Sequence, residues 1–241
     1  MKKKSTALLL GIVVMSLSIL VGCQTEDQTE NGETNGPSED ALAFVLEHEE
    51  LNGVAPNPDY PDIVFQEIFV AENNPFRYVE FDEIAELLES GTGIVYFGFP
   101  TCPWCRNLVP ALTDAAIEFG VEDILYRNVF EDRNILELGD DGEIVEIRAG
   151  HPGYYEVLEI LGNLAPAYTG LEDDSIRRVF VPAVVFVRDG EIISYFTNLP
   201  TFQARVDDEN DETTPWDFMN DDEVEELTQI FLSYFEQVFG E

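Results

Sequence analysis

Residues 94–99, Ile-Val-Tyr-Phe-Gly-Phe, are apolar without a break. A strand with water on one face would alternate, so an unbroken run marks a strand covered on both faces. Pro-Thr-Cys-Pro-Trp-Cys follows at once, and after it the periodicity turns helical. Leu108, Leu112, Ala115 and Phe119 recur at helical spacing, and Gly120 stands where that helix would end. A buried strand that feeds directly into a helix needs helices above and below a sheet.

The flanking segments fit the same layering. A short helix is expected at 41–51 after Ser38, and a second over 83–90 with Asp82 as its N-cap. Strands are expected at 63–70, 77–81, 123–129, 179–187 and 192–198. Asp189-Gly190 is a strong hairpin turn between the last two. Residues 153–164 read as a helix after His151-Pro152, whereas no strand signal stands out between Phe130 and Arg178. Residues 199–220 read as a polar loop. The C-terminal helix opens with Asp221, Asp222 and Glu223, which complement its dipole. Its apolar face comprises Val224, Leu227, Ile230, Phe231, Tyr234 and Phe235. The expected class is α/β, a mixed central sheet with helices on both faces.

The N-terminus is of another kind. Three lysines precede an apolar run of 15 residues, Ala7–Val21, the length of a secretory signal rather than a membrane span. The run ends in Leu-Val-Gly-Cys, which resembles the lipobox of bacterial lipoproteins. That resemblance implies that residues 1–22 are a signal peptide, that Cys23 carries lipid, and that the protein is anchored on the extracytoplasmic face of the cell membrane. Residues 24–40 contain no aliphatic or aromatic side chain and read as a disordered acidic tether. Such a chain spans roughly 20–25 Å. Residues 41–76 then form an N-terminal extension to the main domain, 77–241.

All three lysines lie in the signal, so after its removal nine arginines face 49 acids, a net of −40. That charge excludes nucleic acid as a partner and argues against electrostatic binding to anionic lipid. It leaves Cys102 and Cys105 as the thiols not claimed by lipid.

Two cysteines three residues apart at a helix start are chemically unequal. The sulfur of Cys102 lies near the unsatisfied N–H groups of the first turn, which favour a thiolate. Cys105 lies one turn inside and can attack a mixed disulfide from within. Pro103 suits the first helical position, where no N–H is needed. This is the arrangement thiol–disulfide exchange requires. A structural disulfide here would close too short a loop to stabilise much. Zinc needs about four ligands, and His48 and His151 do not complete a ligand pattern with the cysteines, so no metal is expected. His151 reads as a loop histidine.

Phe-Gly-Phe-Pro-Thr-Cys-Pro-Trp-Cys-Arg-Asn-Leu-Val-Pro is similar to the strand–CxxC–helix segment of thioredoxin-like oxidoreductases, including Pro110 at the family's helix kink. Phe-Val-Pro-Ala-Val-Val-Phe-Val-Arg-Asp-Gly-Glu-Ile is similar to the family's cis-proline strand and hairpin. The form Pro-Thr-Cys-Pro-Trp-Cys resembles bacteriocin-transport-accessory-type members. The resemblance covers about residues 77–240. It implies a thioredoxin-like fold with an insertion, about 131–178, before the cis-proline strand. It implies catalytic Cys102 and Cys105, an active-site dipeptide of Pro103 and Trp104, and substrate binding beside Val181 and cis-Pro182. No cofactor is implied beyond the Cys102–Cys105 disulfide.

Three departures stand out. The family's buried acid, six residues before the first cysteine, is here Tyr96. The common Gly-Pro dipeptide is Pro-Trp, and Pro182 follows Cys105 by 77 residues. The expected function is disulfide exchange with protein substrates, with a membrane redox partner if the enzyme is a reductase. The alternative is a non-catalytic binding or assembly lipoprotein of the same fold.

Overall fold

The computed structural model of the protein describes residues 36–240. The signal, Cys23 and the tether up to residue 35 lie outside them. The end of the expected tether is ordered: Glu39 and Asp40 already belong to helix α1 (Glu39–Glu49). Ser38 accepts from the Ala41 N–H at 3.0 Å, and the two acids occupy the positive end of the helix dipole.

Five strands form one sheet in the order β1-β3-β2-β6-β7. They are β1 (Phe76–Tyr78), β2 (Gly93–Gly98), β3 (Ile124–Asn128), β6 (Ala183–Arg188) and β7 (Glu191–Phe196). β1 and β2 run parallel to β3, while β6 is antiparallel to both β2 and β7. Helix α2 (Phe81–Ser90) joins β1 to β2, and α3 (Pro103–Phe119) joins β2 to β3. The chain is therefore α/β, with a mixed sheet flanked by helices.

Alternation along the strands sorts the core into two layers. Ile94, Tyr96, Tyr126, Val184 and Phe186 face α3 and the C-terminal helix α6 (Asp221–Phe239), meeting Leu108, Leu112, Leu227, Phe231 and Phe235. Val95, Phe97, Leu125, Val185 and Val187 face the other way, onto Ile84 and Leu88 of α2 and Tyr154, Val157 and Leu161 of α4 (Pro152–Leu161). Each fully buried aromatic or aliphatic side chain is worth about 1.5–3 kcal/mol in transfer from water. The extension 41–76 is built into the first layer, where Phe44 of α1 stacks on Phe76 at 3.9 Å.

Several elements differ from expectation. Residues 63–70 form no strand and join no sheet. Their polar backbone is taken by side chains and by a short exchange with the chain before them. Asn52 receives the Ile68 N–H and donates to its carbonyl, Glu49 receives the Val70 N–H, and Phe65 pairs with Gly53 and Val54. Helix α2 starts at Phe81 with Glu80 in the N-cap position, so Asp82 lies in its first turn. β6 starts only after Pro182, which has no N–H for a ladder. Residues 130–178 hold an unforeseen hairpin, β4 (Ile135–Leu138) with β5 (Ile144–Arg148), paired outside the main sheet. The loop 199–220 contains a short helix, α5 (Pro200–Val206). Along α6, Val224 is exposed, and Val238 joins Leu227, Phe231 and Phe235 inside.

Candidate active site

β2 ends at Gly98, and the chain turns through Phe99, Pro100 and Thr101 into α3. Gly98 is needed for a close approach. A Cβ there would fall 2.2 Å from the hydroxyl oxygen of Tyr96, the residue facing the same side of the strand. Cys102 is the N-cap of α3, and its sulfur accepts the N–H of Cys105 at 3.3 Å. Pro103 fills the first helical position. Pro110 lies inside the helix and removes one of its backbone bonds.

The two thiols differ as their positions require. Cys102 is 6% exposed and Cys105 0%. The Cys102 thiol is pushed down by its hydrogen bond with the Cys105 thiol, by the N–H groups of Cys105 and Trp104, and by the charge of Arg133, against the opposing effect of burial. Burial pushes the Cys105 thiol well up, and the bond to Cys102 adds to this. One sulfur is thus prepared to ionise first, with the other held as a protonated reserve behind it.

The Val181–Pro182 peptide bond is cis, and the Val181 carbonyl accepts from the Cys102 thiol at 3.7 Å. Beside it runs a groove of about 310 Å³ lined by Trp104, Phe180, Val181, Pro182, Asn198 and Gln203. Trp104 stands edge-on to Phe202 of α5 at 5.3 Å. A larger cavity of about 440 Å³ opens at the other end of β2, around Gly93, Phe119 and Asp123, away from the thiols. It holds no thiol, so the groove beside Cys102 is the better candidate for substrate.

Tyr96 occupies the place where the family resemblance implies an acid. Its hydroxyl is buried without a hydrogen-bond partner, and burial holds it protonated far above the usual tyrosine range. It lies where it can donate to the Cys105 sulfur once that thiol ionises, which favours ionisation of Cys105, though less than burial opposes it. The histidines are structural. His48 is buried in α1 with Nδ1 2.9 Å from the Phe44 carbonyl, and His151 caps α4 by accepting from the Gly153 N–H. Among the described residues no three metal-binding side chains converge.

Three residues of the site escaped the sequence reading. Arg106, the residue after the dithiol, is 0% exposed. It donates to the carbonyls of Gln66, His48 and Pro100 and to Asn52 Oδ1, fastening the N-terminal extension to the active-site loop. All four acceptors are neutral, and burial lowers its pKa to about 10. Asn107 donates to the Asp217 carbonyl and accepts the Met219 N–H, pinning the loop before α6. Arg133 comes from the insertion. A polar pair of residues directly after Cys-x-x-Cys, ahead of an apolar helix stripe, was the available signal for the first two. Arg133 left none. No family model, curated protein or solved structure matches this chain, and its chemistry is therefore read from the geometry of the site.

Proposed function

We propose that the protein is a thioredoxin-like thiol–disulfide oxidoreductase, anchored through lipid on Cys23 at the extracytoplasmic face of the cell membrane and acting on protein thiols and disulfides. One observation carries the reading. Cys102 caps α3 against the Cys105 N–H, faces the Val181 carbonyl beside Pro182, and has Cys105 fully buried behind it. In the reducing direction the Cys102 thiolate attacks a substrate disulfide. A Cys102–substrate disulfide forms and one substrate thiolate leaves. Cys105 then gives up its proton and attacks the Cys102 sulfur. The Cys102–Cys105 disulfide forms, the second substrate thiolate leaves, and two electrons have passed from protein to substrate. The oxidising direction is the same sequence reversed. The groove beside Cys102, with Trp104, Phe180, Val181 and Pro182 in its lining, offers an apolar wall to an extended substrate chain.

The test is a trap. Cys105→Ser cannot resolve the intermediate, so it should accumulate mixed disulfides on Cys102 that thiol reductants release. Cys102→Ser should accumulate none. Absence of trapped species in the first variant would overturn the proposal in favour of a non-catalytic binding lipoprotein. A reduction potential near about −270 mV would then identify a reductase, and one near about −120 mV an oxidase.

A further inference from the structure

Nine arginines serve the chain after its signal segment, and most have an evident purpose. Arg77, Arg127, Arg148 and Arg205 pair with carboxylates at 2.5–3.3 Å. Arg106, Arg177, Arg178 and Arg188 donate instead to carbonyls or neutral side chains, and Arg133 too has no carboxylate, although two acids immediately precede it. Glu131 turns to Arg148 at 2.5 Å and Asp132 to Arg127 at 2.8 Å. Among the described residues no carboxylate pairs with Arg133. In a protein with so many acids, a cation kept from all of them calls for an explanation.

Its position offers one. The Arg133 guanidinium lies over the Phe99 ring at 5.0 Å and donates through Nη1 to the Val179 carbonyl at 3.3 Å. Phe99 supplies the carbonyl that accepts the Cys102 N–H at 3.2 Å, and Val181, two residues past Val179, supplies the one that faces the Cys102 thiol. Arg133 is thus fastened to the same two segments that fasten Cys102. Its Nε is buried and makes no hydrogen bond.

We infer that Arg133, carried by the insertion, is the positive charge that stabilises Cys102 as a thiolate, and that the thiolate is the anion Arg133 otherwise lacks. The inference rests on the redox reading of the dithiol. It gives the insertion a part in the chemistry: residues 131–178 supply the field under which the first turn of α3 works. The other groups around this pair do not supply that charge. Cys105 of α3, Tyr96 of β2 and Tyr154 of α4 are held neutral by burial. Arg178 is engaged with Tyr168, donating to its hydroxyl and lying 4.5 Å from its ring, and its like charge works against that of Arg133. Burial also opposes the charge on Arg133, whereas the sulfurs of Cys102 and Cys105 favour it. A neighbouring opposite charge favours the ionised form of an acid, and Arg133 is the cation that acts on Cys102 in this way.

The measurement is the rate of alkylation of Cys102 against pH in the reduced protein, with circular dichroism to verify folding. Arg133→Gln keeps a donor of similar reach without the charge. Its midpoint should rise by about one pH unit, leaving about tenfold less thiolate on the acid side. The dithiol should become more reducing by about 30 mV, the equivalent of that tenfold change. Arg133→Lys should restore most of both. A purely structural role would make lysine no better than glutamine, since neither stacks on Phe99 as a guanidinium does. Arg178→Gln should move the midpoint less than Arg133→Gln, and the reverse order would overturn the assignment. Should Arg133→Gln fail to fold, the wild-type protein still decides. The Arg133 Nε resonance should titrate with the Cys102 midpoint and lose that inflection in Cys102→Ser. A flat resonance would overturn the inference. A wild-type midpoint at the free-thiol value, with no trapped disulfide in Cys105→Ser, would instead sink the redox reading itself. A depressed wild-type midpoint unmoved in Arg133→Gln would sink only the role of Arg133.

Discussion

In its first turn α3 carries Cys102, Cys105, Arg106 and Asn107, and hydrogen bonds fix each of them. Two turns later it carries Leu112, Ala115 and Ala116, and packing against the sheet and α6 fixes those. Apolar contact is non-directional and indifferent to protonation. A hydrogen-bonded turn holding buried ionisable groups depends strongly on it. One helix therefore divides the labour. Its body contributes stability that pH leaves alone, and its first turn carries the proposed chemistry and the sensitivity.

The sharpest way to break that division is to damage the body. Leu112 of α3 is fully buried in the core that the helix shares with the sheet and α6. Leu112→Ala should cost about 2–5 kcal/mol in denaturant unfolding. The alkylation midpoint of Cys102 should stay where it is. A shifted midpoint would mean that the two ends of the helix are coupled and the division is false.

The next effect belongs to the first turn and its support. His48 gives its carbonyl to Arg106, and burial lowers its own pKa from 6.5 to about 4. Its neutral form therefore stabilises the fold fully above pH 6.5, and that contribution is lost as pH falls through about 4. The loss amounts to about 3 kcal/mol across that window. Carboxylates titrate there too, so the comparison must be with His48→Gln, which should lose less stability on acidification than wild type. Parallel stability curves for the two proteins would show that the support of the first turn is not the acid-sensitive part.

The smallest effect sharpens the contrast between the thiols. Tyr96→Phe removes a buried hydroxyl that has no hydrogen-bond partner. Stability should hold or rise by about 1 kcal/mol. Cys105, having lost a group that favours its ionisation, should resolve mixed disulfides more slowly. Stopped-flow traces of the resolving step and an unfolding curve measure both. A clear loss of stability would show that the hydroxyl does have a partner.

The same contrast explains what could be read in advance. Periodicity reports apolar contact, so β2 as a doubly covered strand, the α3 stripe of Leu108, Leu112 and Ala115, and most of the α6 face were legible. The hairpin β4–β5 was not, because Ile-Leu-Glu-Leu and Ile-Val-Glu-Ile-Arg are short, partly exposed and paired only with each other. Residues 63–70 look like a strand by composition, but which groups satisfy a backbone is decided by distant partners such as Asn52. Cys102, Cys105, Val181 and Pro182 announced themselves through local motifs. Arg106 left only its polar character beside the dithiol and Arg133 left nothing, since their roles depend on carbonyls and rings elsewhere in the sequence, and an arginine's meaning lies in its partners.

Arg106 ties the fold together in one further respect. Helix α1 is where the described chain begins, and its last turn holds His48, whose carbonyl takes one Arg106 nitrogen at 2.9 Å. The same nitrogen reaches Pro100, two residues before Cys102, at 3.1 Å. In mechanical terms the N-terminal end is a handle with a short linkage to the active-site loop. A pull along the chain from residue 36 loads α1 first. From α1 the load divides, part passing to β1 through Phe44 and Asp40 and part through the guanidinium clamp to the loop that carries Cys102.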